Sequence, residues 1–248
     1  MNFSNKKVLV TGSSKGIGKA AVLAFAKAGA NVLINYIGSD EEAEAVREQA
    51  ETYGVKAYKY RADVADSKQV SEMFSYMDEQ LGSVDILVNN AGFAQESPIT
   101  EMSDDMWDRM IKVHLYGTFY NAREAAKRMK VQGSGKIINI SSDLGSLGCE
   151  DFTHYSAAKG GINAFTKALA RELAPEINVN AVAPSGTLTD ILEAFGENYI
   201  EEEASKYPLQ RLAKPEEIAQ TILFIASEQA NFFAGQIISP NGGVVMNG

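Results

Sequence analysis

At 248 residues, 45% of them apolar and 22% charged, the chain is long enough for one α/β-sized domain or two small ones and too apolar to be disordered. Its 23 Lys and Arg against 32 Asp and Glu leave a net charge of −9. A field of that sign repels phosphate backbones and anionic membranes, so neither nucleic acid nor a membrane is expected as partner.

One cysteine, Cys149, and two histidines exclude an internal disulfide framework and the usual zinc sites, so no metal is expected. The first apolar run, Val8-Leu9-Val10, is too short for a secretory signal. No stretch approaches the roughly 18 apolar residues of a membrane span, and the expectation is a cytoplasmic protein.

Taken in chain order, a strand at 7–10 leads through a glycine-rich turn into an Ala-rich helix over 18–28. A strand at 31–35 precedes a helix over 41–52, opened by the capping box Ser39-Asp40-Glu41-Glu42. Strand 56–61, helix 68–80 and strand 86–89 follow, and Ser103 introduces a long helix over 105–129. Strand 136–140, helix 154–173 and strand 178–182 come next; a last helix starts at Pro215-Glu216-Glu217 before strand 237–239. Most of the strands are continuous Val/Ile/Leu runs, the pattern of strands covered on both faces. Strand and helix alternate without a composition break. This predicts one α/β domain over 1–248, a doubly wound parallel sheet of about seven strands with helices on both faces. Ligands of such sheets sit beyond the carboxyl ends of the strands.

The first of those loops reads Thr11-Gly12-Ser13-Ser14-Lys15-Gly16-Ile17-Gly18. Glycines here permit a tight turn and let backbone N–H groups approach a pyrophosphate at the positive end of a helix, although a plain strand-to-helix turn uses glycine too. Gly12 to Gly16 also fits a nucleophile elbow, but that elbow follows several strands and here one precedes it. Gly18-Lys19 approaches a phosphate-binding loop whose first glycine is missing and whose magnesium-binding hydroxyl is replaced by Ala20.

The turn resembles the T-G-x-x-x-G-x-G turn of the short-chain dehydrogenase/reductase family. Asn89-Asn90-Ala91-Gly92, Ser142, and Tyr155-Ser156-Ala157-Ala158-Lys159, with Ser142 13 residues before Tyr155, extend that resemblance. Asn180-Ala181-Val182-Ala183-Pro184, Pro208-Leu209-Gln210-Arg211-Leu212 and Gly235-Gln236…Asn241-Gly242-Gly243 carry it to the C-terminus. The resemblance implies a Rossmann-type fold and an oxidoreductase that interconverts a ketone and a secondary alcohol with a nicotinamide dinucleotide. It implies Tyr155 as proton donor, Lys159 as the cation that favours the phenolate and holds the nicotinamide ribose, and Ser142 as hydrogen-bond donor to the carbonyl oxygen. It also implies dinucleotide contacts from Gly12, Ser14, Lys15, Gly16, Ile17, Gly18, Tyr36, Asp63, Val64, Asn90, Ala91, Gly92, Tyr155, Lys159, Pro184, Gly186, Thr187 and Thr189.

Two departures stand out. Where the family has an asparagine that holds a water beside the lysine, this chain has His114, which either sustains a relay as a neutral imidazole or is merely a buried histidine. Ser185 follows Pro184 where glycine is usual, which puts the path of the nicotinamide loop in question. No carboxylate ends the second strand at Asn35-Tyr36, and Lys15 can pair with a 2′-phosphate, so NADP(H) is preferred over NAD(H).

The general likeness is to 3-oxoacyl-(acyl-carrier-protein) reductases. Against an acidic carrier partner stand the net charge and the acidic loop Leu173-Ala174-Pro175-Glu176-Ile177, with Arg128 and Lys130 as the remaining contacts. A small ketone, a sugar or another alcohol is the competing substrate. Residues 185–207 resemble a substrate lid, with Leu192, Phe195 and Tyr199 as apolar cover and Glu193, Glu197 and Glu201-Glu202-Glu203 as a solvated face; Cys149, Phe152 and His154 flank the site opposite. Small residues on the 154–173 helix suit close packing against a second copy, and the family is commonly homotetrameric. Two further readings compete with the reductase: a non-catalytic dinucleotide-binding regulator, and a hydrolase built on Ser14 and His154.

Overall fold

The computed structural model describes residues 1–189 and 197–246. Strand β1 (Lys7–Val10) feeds the glycine turn and helix α1 (Gly16–Lys27). The same unit recurs in β2 (Asn31–Tyr36) with α2 (Asp40–Glu51), β3 (Ala57–Arg61) with α3 (Ser67–Leu81), and β4 (Ile86–Asn89) with α4 (Asp104–Ile111). A π-helical turn, Lys112–Tyr116, joins α4 to α5 (Gly117–Gln132). Then follow β5 (Gly135–Ile140), the one-turn α6 (Leu144–Leu147), α7 (Thr153–Leu173), β6 (Ile177–Val182), α8 (Glu197–Ser205), α9 (Pro215–Ala226) and β7 (Ile237–Ile238).

All neighbouring strands pair in parallel, in the order β3-β2-β1-β4-β5-β6-β7. Successive side chains of a strand point to opposite faces, so each strand serves two cores. Val8 and Val10 of β1 join Val32, Ile34, Ile86 and Val88 in one layer, against α1 and α9. Leu9, Leu33 and Leu87 join the other layer, against α3, α5 and α7. That division explains the unbroken apolar runs.

The helix starts follow the capping logic. Ser39 accepts from Glu42 N at 3.2 Å, Ser103 from Met106 N at 3.2 Å, and Pro215 occupies the first turn of α9. Asp66 caps α3 through Lys68 N and Gln69 N. The helix expected over 105–129 is not continuous: residues 112–116 form the π turn. Such a turn inserts one extra residue and is common at functional sites. Here it holds His114, and Gly117 follows it because a Cβ there would lie 2.9 Å from Val64 Cγ2.

The strand order reverses between β1 and β4, which leaves a crevice over their carboxyl ends. Thr11 and Asn90 close its floor. Thr11 Oγ1 accepts from Asn90 N (2.9 Å) and Ala91 N (3.0 Å), and Asn90 Nδ2 donates to the carbonyls of Thr11 (2.9 Å) and Gly12 (3.0 Å). Deeper, Asn89 Nδ2 donates to Asn139 Oδ1 (2.9 Å) and Asn139 Nδ2 to Thr166 Oγ1 (2.9 Å), a buried chain that ties β4 and β5 to α7.

Candidate active site

A cavity of about 880 Å³ opens over these carboxyl ends. Of the residues expected to bind the dinucleotide, all but Gly18 line it, and so do Ser142 and His114. Gly18 acts one layer below. A Cβ there would lie 2.4 Å from Gly12 O and 2.5 Å from Asn90 Nδ2, so only glycine lets α1 start this close to the floor.

The glycine turn has the geometry of an anion cradle. Gly12 has φ +61°, and a Cβ on it would meet Ala91 Cα at 2.7 Å. Lys15 precedes α1 without a side-chain cap, and no acidic residue lies in the first turn, so the helix N-terminus faces the cavity with its N–H groups and its positive dipole end. These residues fit a pyrophosphate.

At the far end, Asn35 is committed to the scaffold. Its Oδ1 accepts from Gly12 N (3.1 Å) and its Nδ2 donates to Ala62 O (3.1 Å). Tyr36 OH donates to Asp40, which is also paired with Lys59 at 2.8 Å, and Ser39 Oγ donates to Glu41 (2.8 Å). Both carboxylates are thus engaged. Lys15 and Glu42 remain on this wall, while Asp63 is paired with Arg109 at 2.9 Å, a partner that no local motif indicated.

At the near end, the buried Lys159 Nζ donates to Ile140 O at 2.7 Å and lies 5.4 Å from the Tyr155 ring centroid. Burial pushes the Lys159 ammonium down to about 7. Burial likewise pushes the Tyr155 phenol up to about 12, with a hydrogen bond from Ser142 favouring the phenolate and the charge of Asp143 opposing it. The direction is opposite to the depression expected from Lys159, with burial of the phenol as its largest cause. Ser142 Oγ donates to Asp143 Oδ1 at 2.9 Å and accepts from Leu144 N at 3.2 Å. Asp143, next in the chain to Ser142, belongs to no motif, so the sequence alone does not single it out.

His114 joins the cluster. It is 2% exposed, with Nε2 2.8 Å from Phe93 O, and its ring meets that of Tyr155 edge-on, centroids 5.3 Å apart. Nε2 also lies 3.2 Å from Phe93 N, so it meets both a carbonyl and an N–H of the same residue, while Nδ1 is buried with no partner among the described residues. Burial, then Lys159, holds its pKa well below the ordinary histidine value, so the imidazole is neutral. Gly92 packs flat on it, since a Cβ there would lie 2.3 Å from Cε1.

The Ser185 loop has its own anchor in Tyr207, whose hydroxyl accepts from Gly186 N (2.9 Å), bonds with the Ser185 side chain and contacts Glu203 (3.3 Å). Thr187 Oγ1 donates to Ser185 O at 2.9 Å, and Thr189 packs near Gly16. Of the lid residues, Leu192, Glu193 and Phe195 lie outside the described residues, as do the side chains of Glu197 and Tyr199. Cys149 and Phe152 line the cavity. His154 does not: it is fully buried, neither ring nitrogen has a partner among the described residues, and no Ser14–His154 pair forms. Arg128 is held by Asp78 (2.7 Å) and Glu124 (3.2 Å) rather than presented to a partner. No helix among the described residues is long and apolar enough to cross a membrane.

The family described as enoyl-(acyl carrier protein) reductase matches residues 12–245. A 3-oxoacyl-[acyl-carrier-protein] reductase of Staphylococcus aureus is 41% identical over 242 residues, covering 97% of this chain and 98% of that protein. One from Thermotoga maritima is 38% identical over 247 residues, covering 99% and 100%. Among solved structures, a short-chain dehydrogenase/reductase titled glucose/ribitol dehydrogenase from Brucella melitensis superposes with a TM-score of 0.90 at 32% identity over both full chains. A short-chain type dehydrogenase/reductase from Mycobacterium marinum gives 0.94 at 34% identity, covering 99% of this chain and 98% of that one.

Proposed function

Because the chain belongs to the short-chain dehydrogenase/reductase family and is an oxidoreductase, we propose that it interconverts a ketone and a secondary alcohol with NADP(H). The observation that carries this reading is the convergence of Ser142, Tyr155 and Lys159 on one cavity whose other end is an anion cradle. A bound nicotinamide supplies the hydride that the carbonyl carbon accepts. Tyr155, fully protonated at neutral pH with its pKa pushed up to about 12, donates the proton to the carbonyl oxygen. Ser142 donates a hydrogen bond to the same oxygen as charge develops on it. Lys159, on the same face of α7 one turn after Tyr155, holds the ribose and favours the phenolate left behind. His114 is assigned to the proton path beside Lys159, its neutral ring offering one nitrogen as donor and the other as acceptor.

The engagement of Asp40 and Glu41 elsewhere and the place of Lys15 on the wall support NADP(H) over NAD(H). The relatives' names support a 3-oxoacyl thioester as substrate. A second reading, a small ketone or sugar, is favoured by the carboxylates of Glu96, Asp143, Glu150, Asp151 and Glu203 on the cavity wall, which repel an anionic acyl carrier. Exposed Tyr116 and Phe119, beside Arg123 stacked on Phe119, support assembly into a homotetramer through α5. The test is NADPH and NADH oxidation by the purified protein with a 3-oxoacyl coenzyme A and small ketones. Tyr155→Phe is expected to cost on the order of 10²–10⁴ in rate while NADPH still binds; undiminished turnover in that variant removes Tyr155 from its role.

A further inference from the structure

Asp143 occupies a position that neither the cradle nor the Tyr155 pair explains. It is 8% exposed, yet it lines the cavity. Its Oδ1 accepts from Ser142 Oγ (2.9 Å) and Leu144 N (2.8 Å). The carboxylate's charge acts on the phenols of Tyr155 and Tyr207 and on the thiol of Cys149, which sets it among three groups that line the same space.

The backbone holds it there. Asp143 N donates to Pro184 O at 3.1 Å, so the residue is pinned to the loop before Ser185. Gly145 lies so close to the catalytic helix that a Cβ would meet Lys159 C at 2.7 Å and Lys159 O at 2.9 Å. The short α6 turn that begins after Asp143 is thereby packed closely onto α7 at Lys159.

This placement sets a competition for one proton. Ser142 has a single hydroxyl hydrogen, and both Asp143 Oδ1, at 2.9 Å, and the Tyr155 hydroxyl lie within its reach. To hydrogen-bond a substrate oxygen, Ser142 must withdraw that hydrogen and leave a desolvated carboxylate short of a donor, which is costly. Burial already raises the Asp143 pKa, and Glu203 adds to it. A substrate that brings its own N–H or O–H to Asp143 removes the conflict.

Resting on the ketone-reductase reading above, we infer that Asp143 is a specificity-determining residue that selects ketones bearing a hydrogen-bond donor, a hydroxyl or an ammonium, on the carbon next to the carbonyl. Such a donor lies one carbon from the group that Ser142 and Tyr155 engage, within reach of a carboxylate already 2.9 Å from Ser142 Oγ. The surroundings agree. Glu96, Glu150, Asp151 and Glu203 share the wall, and Lys206 among them is paired with Glu203 at 2.8 Å. A neutral polyol or a cationic amino ketone suits that field; a phosphate-bearing thioester does not.

The experiment compares 2-butanone, hydroxyacetone and aminoacetone, equal in heavy-atom count, with acetoacetyl coenzyme A, by kcat/KM for NADPH oxidation in wild type, Asp143→Asn and Asp143→Leu. In wild type the better of the two donor-bearing ketones is expected to exceed 2-butanone by about tenfold or more. A lead for aminoacetone assigns the ammonium, and a lead for hydroxyacetone the hydroxyl. In Asp143→Leu that ratio falls toward one while kcat/KM for 2-butanone rises, because Ser142 is released; a merely structural role would lower all substrates together. NADPH affinity, followed by fluorescence, reports that each variant has folded. Equal kcat/KM for the three ketones, a ratio untouched by Asp143→Leu, or a preference for acetoacetyl coenzyme A overturns the assignment alone. Oxidation with none of the four overturns the reductase reading and this assignment with it.

Discussion

Lys159 makes the folded protein sensitive to pH in a window where most side chains are silent. It is 4% exposed, and its pKa is pushed down from 10.5 to about 7 by burial alone. Between those two values the unfolded chain holds a proton on this group and the folded chain does not, so stability rises with pH across the window. The slope approaches about 1.4 kcal/mol per pH unit in mid-window and is smaller near pH 7, where the folded lysine is half protonated. From pH 7 to pH 9 the gain comes to about 2 kcal/mol, which for a chain of this size raises Tm by roughly 4–8 °C. Tyr155, pushed up to about 12 from 10.0, acts in the opposite sense but above pH 10, outside that interval. The assay is thermal unfolding of the cofactor-free protein at pH 7, 8 and 9, wild type beside Lys159→Met. Methionine keeps the buried stem and cannot take the proton, so its Tm profile should lack the rise that wild type shows. The half-buried Lys136, whose pKa burial also lowers, contributes equally to both proteins and cancels in the difference. Parallel profiles for the two would refute the claim that Lys159 is desolvated in the empty site.

Two further substitutions test the scaffold and the proton path. Gly18→Ala drives a methyl against Gly12 O and Asn90 Nδ2, both part of the floor, and should cost about 1–3 kcal/mol of stability and weaken NADPH binding. A wild-type Tm and dissociation constant would contradict that packing argument. At 114, leucine removes both ring nitrogens, and kcat for ketone reduction is expected to fall on the order of 10²-fold; asparagine, which keeps an acceptor and a donor, should stay within about tenfold of wild type. Equal losses in the two variants would place His114 in packing rather than proton transfer.

The sheet was legible because each strand is buried on two faces and therefore writes an unbroken apolar run, as in Val8-Leu9-Val10 and Ile86-Leu87-Val88. The cradle was legible because glycine is the residue that a left-handed turn at Gly12 and the tight approach at Gly18 demand. What stayed hidden is what depends on the partner across the fold. The π turn at 112–116 leaves no mark in an apolar period, since one inserted residue shifts the phase and Gly117 restores the packing. The Arg109–Asp63 pair joins residues 46 apart in the chain, and the Asn89–Asn139 bond residues 50 apart. Tyr207 anchors the loop after Ser185, its hydroxyl taking up the Gly186 N–H, but nothing near Pro208 signals that contact. The motif residues share one cavity; their hydrogen bonds came from the fold.

The same burial accounts for four protonation states at once. Lys159 and His114 are bases pushed down, and Tyr155 and Asp143 are acids pushed up, each with desolvation as the largest cause. All four are thereby driven toward their neutral forms, in a site where the proposed reduction would place charge on the substrate oxygen. A group that enters can therefore lower the energy of the site by supplying what water does not: an acceptor for Lys159, a donor for Asp143, and an oxygen for the hydrogens of Ser142 and Tyr155. A ligand meeting one of these needs gains one interaction. A ligand meeting them together also frees the Ser142 hydroxyl from Asp143, so the interactions reinforce one another through a single hydrogen atom. Selectivity in this cavity then follows from which ligands satisfy Asp143 and the carbonyl oxygen at the same time, and cavity volume alone decides little.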